Sequence, residues 1–330
     1  MTGANGFLGS SLVRALLERT GYQVRCLVRP GCNLGKLDVL IGNHPGRIEL
    51  SYGALNNYQT CLEAVKNIAI VFHLASAKSG APAEMFHGSS VATKCLLEAV
   101  RNLAPTAKLV HCSSFSVYGV ADLKKGETVD ENTPLERHPE KRDTYAFSKW
   151  HQERLVREYC QKHGIPTVIM RPGVIYGPGG TPISTRVGLN LFGLFLFIGG
   201  RNMLPLTYLD NCADAFVTAA LNSQFSGEGY NVVDDDPITA KEYLRLYRRD
   251  VKKVRSIPIP YFVMWLISIA CEKYYARSKG QLPDIFTRYK TASMWKPQRF
   301  SNKKLKDLGW TMNTPTETGL NINFQSLKES

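Results

Sequence analysis

The chain has 330 residues, of which 44% are hydrophobic and 21% are charged. Such a chain can bury a core, either as one large domain or as two closely joined ones. Its formal net charge of +13 is concentrated in residues 241–306, which hold 17 Lys or Arg against four Asp or Glu. This basic region could attract nucleic acid, anionic lipid or a phosphorylated substrate, or form a solvated helical surface. Because no nucleic-acid motif, repeat or low-complexity segment accompanies it, we do not expect a nucleic-acid partner.

The cysteines and the apolar stretches indicate the class of protein. Eight cysteines are scattered along the chain, without a CxxC pair or a Cys/His cluster at zinc spacing. We therefore expect reduced thiols, a cytoplasmic location and no metal site. The first apolar stretch is interrupted by Gly, Ser and Arg, which is not typical of a signal peptide. The longest strongly apolar run, 261–271, is too short to cross a bilayer as a helix.

Helix-like and strand-like segments alternate along the first half of the chain. Helices are predicted at 7–19, 60–65, 89–102 and 145–163, and strands at 23–28, 68–74, 108–112 and 167–170. Strand 68–74 is a nearly continuous apolar run, as buried parallel strands are. The alternation predicts an α/β fold with a doubly wound parallel sheet, the Rossmann architecture. We expect a smaller, mostly helical C-terminal domain beside it.

The chain opens on a glycine-rich turn, Thr2-Gly-Ala-Asn-Gly-Phe-Leu-Gly9, that leads directly into the first helix. In such a turn, backbone N–H groups and the helix N-terminus can face a pyrophosphate. Gly3 and Gly6 would allow close backbone approach, and Gly9 would let the helix pack against the sheet. The sequence therefore predicts a dinucleotide site here.

A turn of this kind normally follows a buried strand, but only Met1 precedes it. In the usual order that strand lies in the middle of the sheet, paired on both sides. We expect the first strand to be missing from this sequence and the native product to carry about five to ten apolar residues upstream. The alternative is that another segment fills the slot, although no spare apolar strand is evident.

Three polar side chains form the predicted catalytic group. Tyr145 and Lys149 are four residues apart, on one face of a helix. Ser114 follows strand 108–112 and so lies at the carboxyl edge of the sheet, where α/β sites form. A nearby ammonium favours the ionised form of a phenol, whose ordinary pKa is about 10. Ser114 could then hold a substrate oxygen while Tyr145 gives or takes its proton.

Several stretches give the chain a resemblance over nearly its whole length. They are TGANGFLG at residue 2, VFHLAS at 71, SSFSVYG at 113, YAFSK at 145, RPGVIYGPGG at 171 and LPLTYLDNCADA at 204. With them the chain resembles the extended short-chain dehydrogenase/reductases of the NAD-dependent epimerase/dehydratase group, in the branch that includes 3β-hydroxysteroid dehydrogenases and dihydroflavonol reductases.

The resemblance implies roles for individual residues. Catalysis would fall to Ser114, Tyr145 and Lys149. The cofactor would be bound by Gly3, Gly6, Phe7, Leu8, Gly9, Arg29, Leu55, Ala75, Lys149 and Arg171. Within that set, Gly3 to Gly9 would lie at the pyrophosphate, Lys149 would hold the nicotinamide ribose, and the loop after Arg171 would pass near the nicotinamide.

Departures from the family pattern bear on the cofactor. Many NAD-dependent members carry an acidic residue at the end of the second strand, where this chain has Val28 followed by Arg29. An arginine there suits the 2′-phosphate of NADP, so the sequence favours NADP over NAD. The alternative is that Arg29 only lies over the adenine, which would leave the preference open. Ala54 and Ser89 replace an Asp and an Asn of the family's cofactor site.

Other departures bear on the reaction. Family dehydratases have an Asp-Glu pair after the catalytic hydroxyl residue, where this chain has Phe115 and Ser116. This argues against dehydration. Nucleotide-sugar enzymes often have an Asn at the position of Val174, which weakens that assignment. The resemblance thus implies an NAD(P)-dependent oxidoreductase that interconverts a secondary alcohol and a ketone. The alternatives are a nucleotide-sugar epimerase with tightly bound NAD and a non-catalytic cofactor-binding scaffold.

We expect a dinucleotide-binding domain over 1–175 and a mainly substrate-binding region over 176–330, with segments around 205–235 returning to the first domain. The expected partner is a small-molecule substrate. The apolar run 261–271, followed by Lys273 and Arg277, could make segment 261–277 lie on a membrane or cover a lipophilic substrate. It could equally be a helix packed in the smaller domain. A homodimer is a further expectation.

Overall fold

A computed structural model describes residues 1–191, 193–278 and 286–329. Its strands are β1 Val24–Val28, β2 Ile48–Tyr52, β3 Ile70–His73, β4 Lys108–Cys112, β5 Thr128–Val129, β6 Thr167–Pro172, β7 Val174–Tyr176, β8 Gly188–Leu191, β9 Leu194–Phe197, β10 Leu206–Tyr208, β11 Ser226–Val232, β12 Ser256–Pro258 and β13 Arg299–Phe300. Its α-helices are α1 Phe7–Arg19, α2 Lys36–Asn43, α3 Tyr58–Val65, α4 Pro82–Phe86, α5 Ala92–Leu103, α6 Thr144–His163, α7 Leu209–Asn222, α8 Ala240–Asp250, α9 Tyr261–Arg277, α10 Arg288–Trp295, α11 Lys303–Asp307 and α12 Thr316–Glu329. A π-helical turn, His87–Val91, joins α4 to α5, and 3₁₀ turns cover Phe115–Val117 and Pro139–Lys141.

The parallel sheet confirms the predicted Rossmann architecture. Strands β3, β4, β6 and β11 pair in that order, and β1 pairs in parallel with β2. The predicted strands and helices of the first half are all present, within a few residues of their expected bounds. Sequence reasoning missed α2 and β2, which lie in a segment where Gly, Pro and polar residues break the apolar pattern.

Met1 and Thr2 join the two halves of this sheet. Thr2 bridges in parallel to Leu27 of β1 and to His73 of β3. Its N–H donates to the Phe72 carbonyl at 2.9 Å, and the Met1 carbonyl accepts from the Leu27 N–H at 2.9 Å. In the described part of the chain, Thr2 alone pairs with both strands, so the glycine turn starts from the centre of the sheet.

Helices cover both faces of the sheet and form the core. On one face α1 packs against α7, and Leu12, Val13 and Phe216 are fully buried between them. On the other face α3, α5 and α6 contribute buried residues such as Leu97 and Val156. The apolar stripe of each helix faces the sheet, because its residues recur every three or four positions.

The later part of the chain alternates between the sheet and a second region. Strand β7 pairs with β10, and β11 then returns to the edge of the main sheet beside β6. The second region holds a small sheet in the order β12-β9-β8 together with α8, α9, α10 and α12. No helix among the described residues is long and apolar enough to cross a membrane.

A buried ion pair fastens α6 to β6. Arg171 of β6 donates to the Glu153 carboxylate through Nη2 at 2.6 Å and Nε at 3.1 Å, and both side chains are almost completely buried. Arg157 and the Ser113 hydroxyl also donate to this carboxylate, at 2.9 and 2.6 Å. Burial alone raises the pKa of Glu153, but the charges of Arg171 and Arg157 and the hydrogen bonds from Arg171 and Ser113 together outweigh it, and the pKa falls to about 2. The carboxylate is therefore ionised at any physiological pH.

We expect Glu153→Gln to destabilise the fold by about 3–5 kcal/mol at pH 7, because it leaves Arg171 buried without a counter-charge. Glu153 has a lower pKa in the folded than in the unfolded chain, where it lies near 4.3. The stabilisation of the fold by ionised Glu153 is thus fully present above a pH of about 4.3 and is lost as the pH falls towards about 2. Urea unfolding at pH values from 7 to 3 measures the free energy of unfolding of both proteins. The difference between Glu153→Gln and the parent should become smaller in acid.

The matched control is Glu158→Gln, on the same helix. Glu158 is partly exposed and pairs with Lys162 at 2.7 Å one turn away, so its loss should not measurably change the midpoint of unfolding. Equal effects of the two substitutions at pH 7 would contradict the role given to the buried pair.

Candidate active site

The glycine turn is shaped by close backbone contacts. Gly3 has a φ of +72°, and a Cβ there would lie 3.0 Å from the amide nitrogen of Ala75. A Cβ on Gly9 would lie only 1.9 Å from the Gly3 carbonyl oxygen. Gly9 is thus required by the turn itself, rather than by packing of the helix on the sheet as the sequence led us to expect. A side chain at either position would disrupt the turn.

A cavity opens between the glycine turn and the carboxyl ends of β3, β4 and β6. Its walls include Gly3, Gly6, Phe7, Leu8, Gly9, Leu74, Ala75, Ser76, Lys78, Cys112, Ser113, Ser114, Tyr145, Lys149, Pro172, Gly173 and Ile175. The structure therefore brings the predicted pyrophosphate turn and the predicted catalytic group into one space.

The glycine turn has the features needed to hold a dinucleotide. The first N–H groups of α1 lack partners within the helix, and the helix dipole favours an anion at this end. The missing side chains at Gly3 and Gly9 keep the turn compact beside Ala75. These residues fit the pyrophosphate of a dinucleotide cofactor.

The first turns of α6 position Tyr145 and Lys149. The Asp143 carboxylate caps the helix by accepting from the Ala146 N–H at 3.0 Å. Tyr145 lies in the first turn, and Lys149 follows one turn later on the same side, buried, with its Nζ donating to the Cys112 carbonyl at 2.8 Å. Because Cys112 ends β4, this bond ties the lysine to the edge of the sheet.

Ser114 lies two residues after β4, where the chain leaves the sheet. Its hydroxyl oxygen accepts from the Ser116 N–H at 3.1 Å and is also hydrogen-bonded to Tyr145. These contacts fix the serine hydroxyl beside the phenol. The two groups can therefore contact one substrate oxygen together.

Burial dominates the ionisation of the catalytic group. It raises the pKa of Tyr145 to about 12, although the hydrogen bond with Ser114 acts in the opposite direction. It also lowers the pKa of Lys149, and the nearby ammonium of Lys78 lowers it further. The sequence led us to expect a nearby ammonium to favour the phenolate, but desolvation sets the direction of the Tyr145 shift.

Three residues predicted to bind the cofactor lie outside the cavity wall. Arg29 is exposed at the end of β1, and Leu55 is partly buried after β2, against the core beneath α3 and α5. Arg171 is buried in its pair with Glu153 and stacks on the Tyr118 ring at 4.7 Å. The loop after Arg171 does line the cavity, through Pro172, Gly173 and Ile175.

Sequence reasoning named Ala75 in the loop after β3 but missed its neighbours Ser76 and Lys78. Ser76 and Lys78 line the cavity. The Ser89 hydroxyl supports this loop, since it bonds to the Ser76 hydroxyl at 3.2 Å and accepts from the Ala77 N–H at 3.0 Å. Ser89 lies in the π-helical turn before α5, a type of distortion that is frequent at functional sites. No local signal in the sequence points to Lys78, because it lies far from the glycine turn along the chain.

The chain is similar in sequence to proteins of a known family. A model described as the NAD dependent epimerase/dehydratase family matches residues 1–232. Cinnamoyl-CoA reductase 1 of Petunia hybrida is 28% identical over 338 residues, which cover 100% of this chain and 91% of that protein. The decarboxylating sterol-4-alpha-carboxylate 3-dehydrogenase of Mus musculus is 28% identical over 278 residues, which cover 81% of this chain and 72% of that protein.

The likeness extends to solved structures. The crystal structure of gox2253 matches with a TM-score of 0.82 and 24% sequence identity, covering 99% of this chain and 97% of that one. It supports the fold, whereas the family match over residues 1–232 also carries the use of a nicotinamide cofactor. The predicted resemblance is confirmed, and the protein is an enzyme of the oxidoreductase and epimerase type. The chain belongs to the NAD-dependent epimerase/dehydratase family.

Proposed function

We propose that this enzyme is an NADPH-dependent reductase that interconverts a ketone and the corresponding secondary alcohol. The observation that carries the proposal is that Ser114, Tyr145 and Lys149 line the same cavity as the glycine turn. A proton donor, an oxygen-binding hydroxyl and a cation thus converge beside the dinucleotide site. This is the set of groups that proton transfer at a carbonyl requires.

Each side chain has a role that follows from its surroundings. With a pKa near 12, Tyr145 is protonated at neutral pH and can donate its proton to a carbonyl oxygen. Ser114, fixed by the Ser116 N–H, orients that oxygen. Lys149, held by the Cys112 carbonyl, contributes positive charge and binds the ribose of the cofactor. The bound nicotinamide supplies or accepts the hydride.

The residues around Ser114 support a reductase over a dehydratase. Phe115 is buried and packs on Tyr118 and Phe300, with ring centroids 5.6 and 5.5 Å apart. The Ser116 hydroxyl is buried without a partner among the described residues. Neither position offers a carboxyl group that could move a proton during elimination. Val174, partly buried in β7, likewise offers no amide to a nucleotide-sugar.

The end of β1 supports NADPH over NADH. Val28 is buried, so the position of the family's acidic residue presents no carboxylate, and Arg29 is exposed directly after it. Segment 29–36 carries two basic residues, Arg29 and Lys36, and no acidic one. A guanidinium in this place suits a 2′-phosphate.

We also infer a reducing compartment, the cytoplasm. All eight cysteines are free thiols, and burial raises the pKa of Cys26 to about 11, so this thiol is not reactive. The predicted homodimer stays a prediction, as do the predicted domain bounds at 1–175 and 176–330.

The net change in the cofactor during turnover distinguishes a reductase from an epimerase. Purified protein is incubated with NADPH and a panel of ketones, and in parallel with NAD and UDP-sugars. Steady loss of NADPH absorbance with a ketone supports the proposal. Sugar epimerisation without net change in the cofactor would overturn it in favour of the alternative, and binding of cofactor without turnover of any substrate would favour the scaffold.

We expect Tyr145→Phe to lower the turnover of the ketone roughly 10²–10⁴-fold, the usual contribution of a positioned acid or base. NADPH affinity, measured by fluorescence titration, should change little, because the phenol mainly serves the substrate. Tyr58→Phe, an exposed tyrosine on α3, is the control and should match the parent. A Tyr145→Phe enzyme with near-parental turnover would contradict the mechanism.

We expect Arg29→Ala to weaken NADPH binding by about 1.5–3 kcal/mol if the guanidinium bonds the phosphate, and to leave NADH binding unchanged. Calorimetric titration of both cofactors measures the difference. Arg245→Ala, an exposed arginine on α8, controls for the loss of one positive charge. Equal affinities of the parent for the two cofactors, unaltered by Arg29→Ala, would refute the NADPH assignment.

A further inference from the structure

Helix α9 presents an apolar face to solvent. The side chains of Phe262, Val263, Leu266 and Ile267 are all exposed, Phe262 to 65% and Leu266 to 45%. Positions 262 and 266 are one helical turn apart, as are positions 263 and 267, so all four lie on one side of the helix. Ile257, in β12 just before α9, is also exposed to 49%. Contiguous exposed apolar residues of this size mark an interaction surface.

The opposite side of α9 is anchored to the protein. Met264 is buried against Ile198 and Trp295, and the Ser268 hydroxyl bonds to the Thr291 hydroxyl of α10 at 2.6 Å. One turn further, Glu272 pairs with Arg288 at 2.7 Å. Because these contacts recur every four residues, they fix which side of α9 faces outward. The helix therefore lies along the surface with its apolar face outward.

Positive charges flank the apolar face at both ends. Lys252, Lys253 and Arg255 are exposed just before β12, and Lys273 and Arg277 are exposed in the last turns of α9. None of the five forms an ion pair with another residue of the described ranges 1–191, 193–278 and 286–329. Lys273 and Arg277 follow Phe262 by 11 and 15 residues, which places them on the same side of the helix.

We propose that this face of α9, Phe262 to Arg277 together with Ile257, binds the surface of an anionic phospholipid bilayer. Apolar side chains would enter the boundary between headgroups and acyl chains while the lysines and arginines contact lipid phosphates. Tyr274, exposed to 66% at the basic end, has the amphipathic ring that is enriched at membrane interfaces.

Charge favours this partner over a second copy of the chain. A symmetric dimer through this face would place the unpaired cations of both copies in one interface, where like charges repel. A bilayer that contains anionic lipid instead supplies the opposite charge. The inference concerns a surface and does not depend on the reaction proposed above.

The test is co-sedimentation of the purified full chain with phosphatidylcholine vesicles that contain or lack phosphatidylserine. We expect binding to the anionic vesicles and loss of that binding at 1 M salt, where the screening length falls to about 3 Å. Phe262→Ser/Leu266→Ser should weaken it by at least roughly tenfold, because two large apolar anchors are lost. Lys252→Glu/Lys253→Glu should weaken binding without altering the apolar face.

The matched control is Leu103→Ser/Leu221→Ser, which removes two comparably exposed apolar side chains from α5 and α7 and should bind vesicles like the parent. NADPH affinity and thermal midpoint verify that every variant is folded. The proposal is overturned if the parent does not sediment with anionic vesicles, or if Phe262→Ser/Leu266→Ser sediments like the parent. It is also overturned if ultracentrifugation shows a lipid-independent dimer that this variant dissolves.

Discussion

The ion pair between Glu153 and Arg171 is the contact on which the position of α6 depends, the helix that carries the predicted catalytic residues Tyr145 and Lys149. Glu153 lies one turn beyond Lys149, and its carboxylate also accepts from Ser113, the neighbour of Ser114. One buried charge therefore sets α6 relative to both β6 and the end of β4. Such a charge is tolerated inside the protein only with all its partners in place, so the arrangement that orients Ser114 and Tyr145 is also required for folding.

A second, uncharged network links the glycine turn to the same helix. Thr2 bonds to His73 Nδ1 at 2.8 Å, His73 Nε2 bonds to Thr93 at 2.8 Å, and Gln152 of α6 donates to Thr93 at 2.8 Å. Burial, with help from Lys149, lowers the pKa of His73 to about 3. The ring is thus neutral, with one nitrogen that donates and one that accepts. Helix α6 is therefore hydrogen-bonded to the network that begins at the glycine turn, and it also carries Tyr145 and Lys149.

How much of this could be predicted depended on the distance between partners along the sequence. Tyr145 and Lys149 could be paired from helical spacing, and the glycine turn from local spacing followed by a helix. Arg171 could not be assigned in this way, because Glu153 meets it only through the packing of α6 on β6, and its spacing of 18 residues has no regular period. Lys78 was missed because its loop has no regular structure, and β2 because its residues are only half buried. Patterns within one element were visible, whereas contacts between elements were not.

The two lysines of the cavity connect cofactor binding to the chemistry of Tyr145. Burial lowers the pKa of Lys149 and the charge of Lys78 lowers it further, while burial raises the pKa of Tyr145. Both shifts favour the uncharged forms. A dinucleotide brings phosphate charges into the same cavity, and these favour the ammonium form of Lys149. In the proposed reaction, the positive charge of Lys149 would stabilise the phenolate that remains when Tyr145 gives up its proton. Lys149 therefore links the charge of a bound cofactor to the proposed proton transfer at Tyr145.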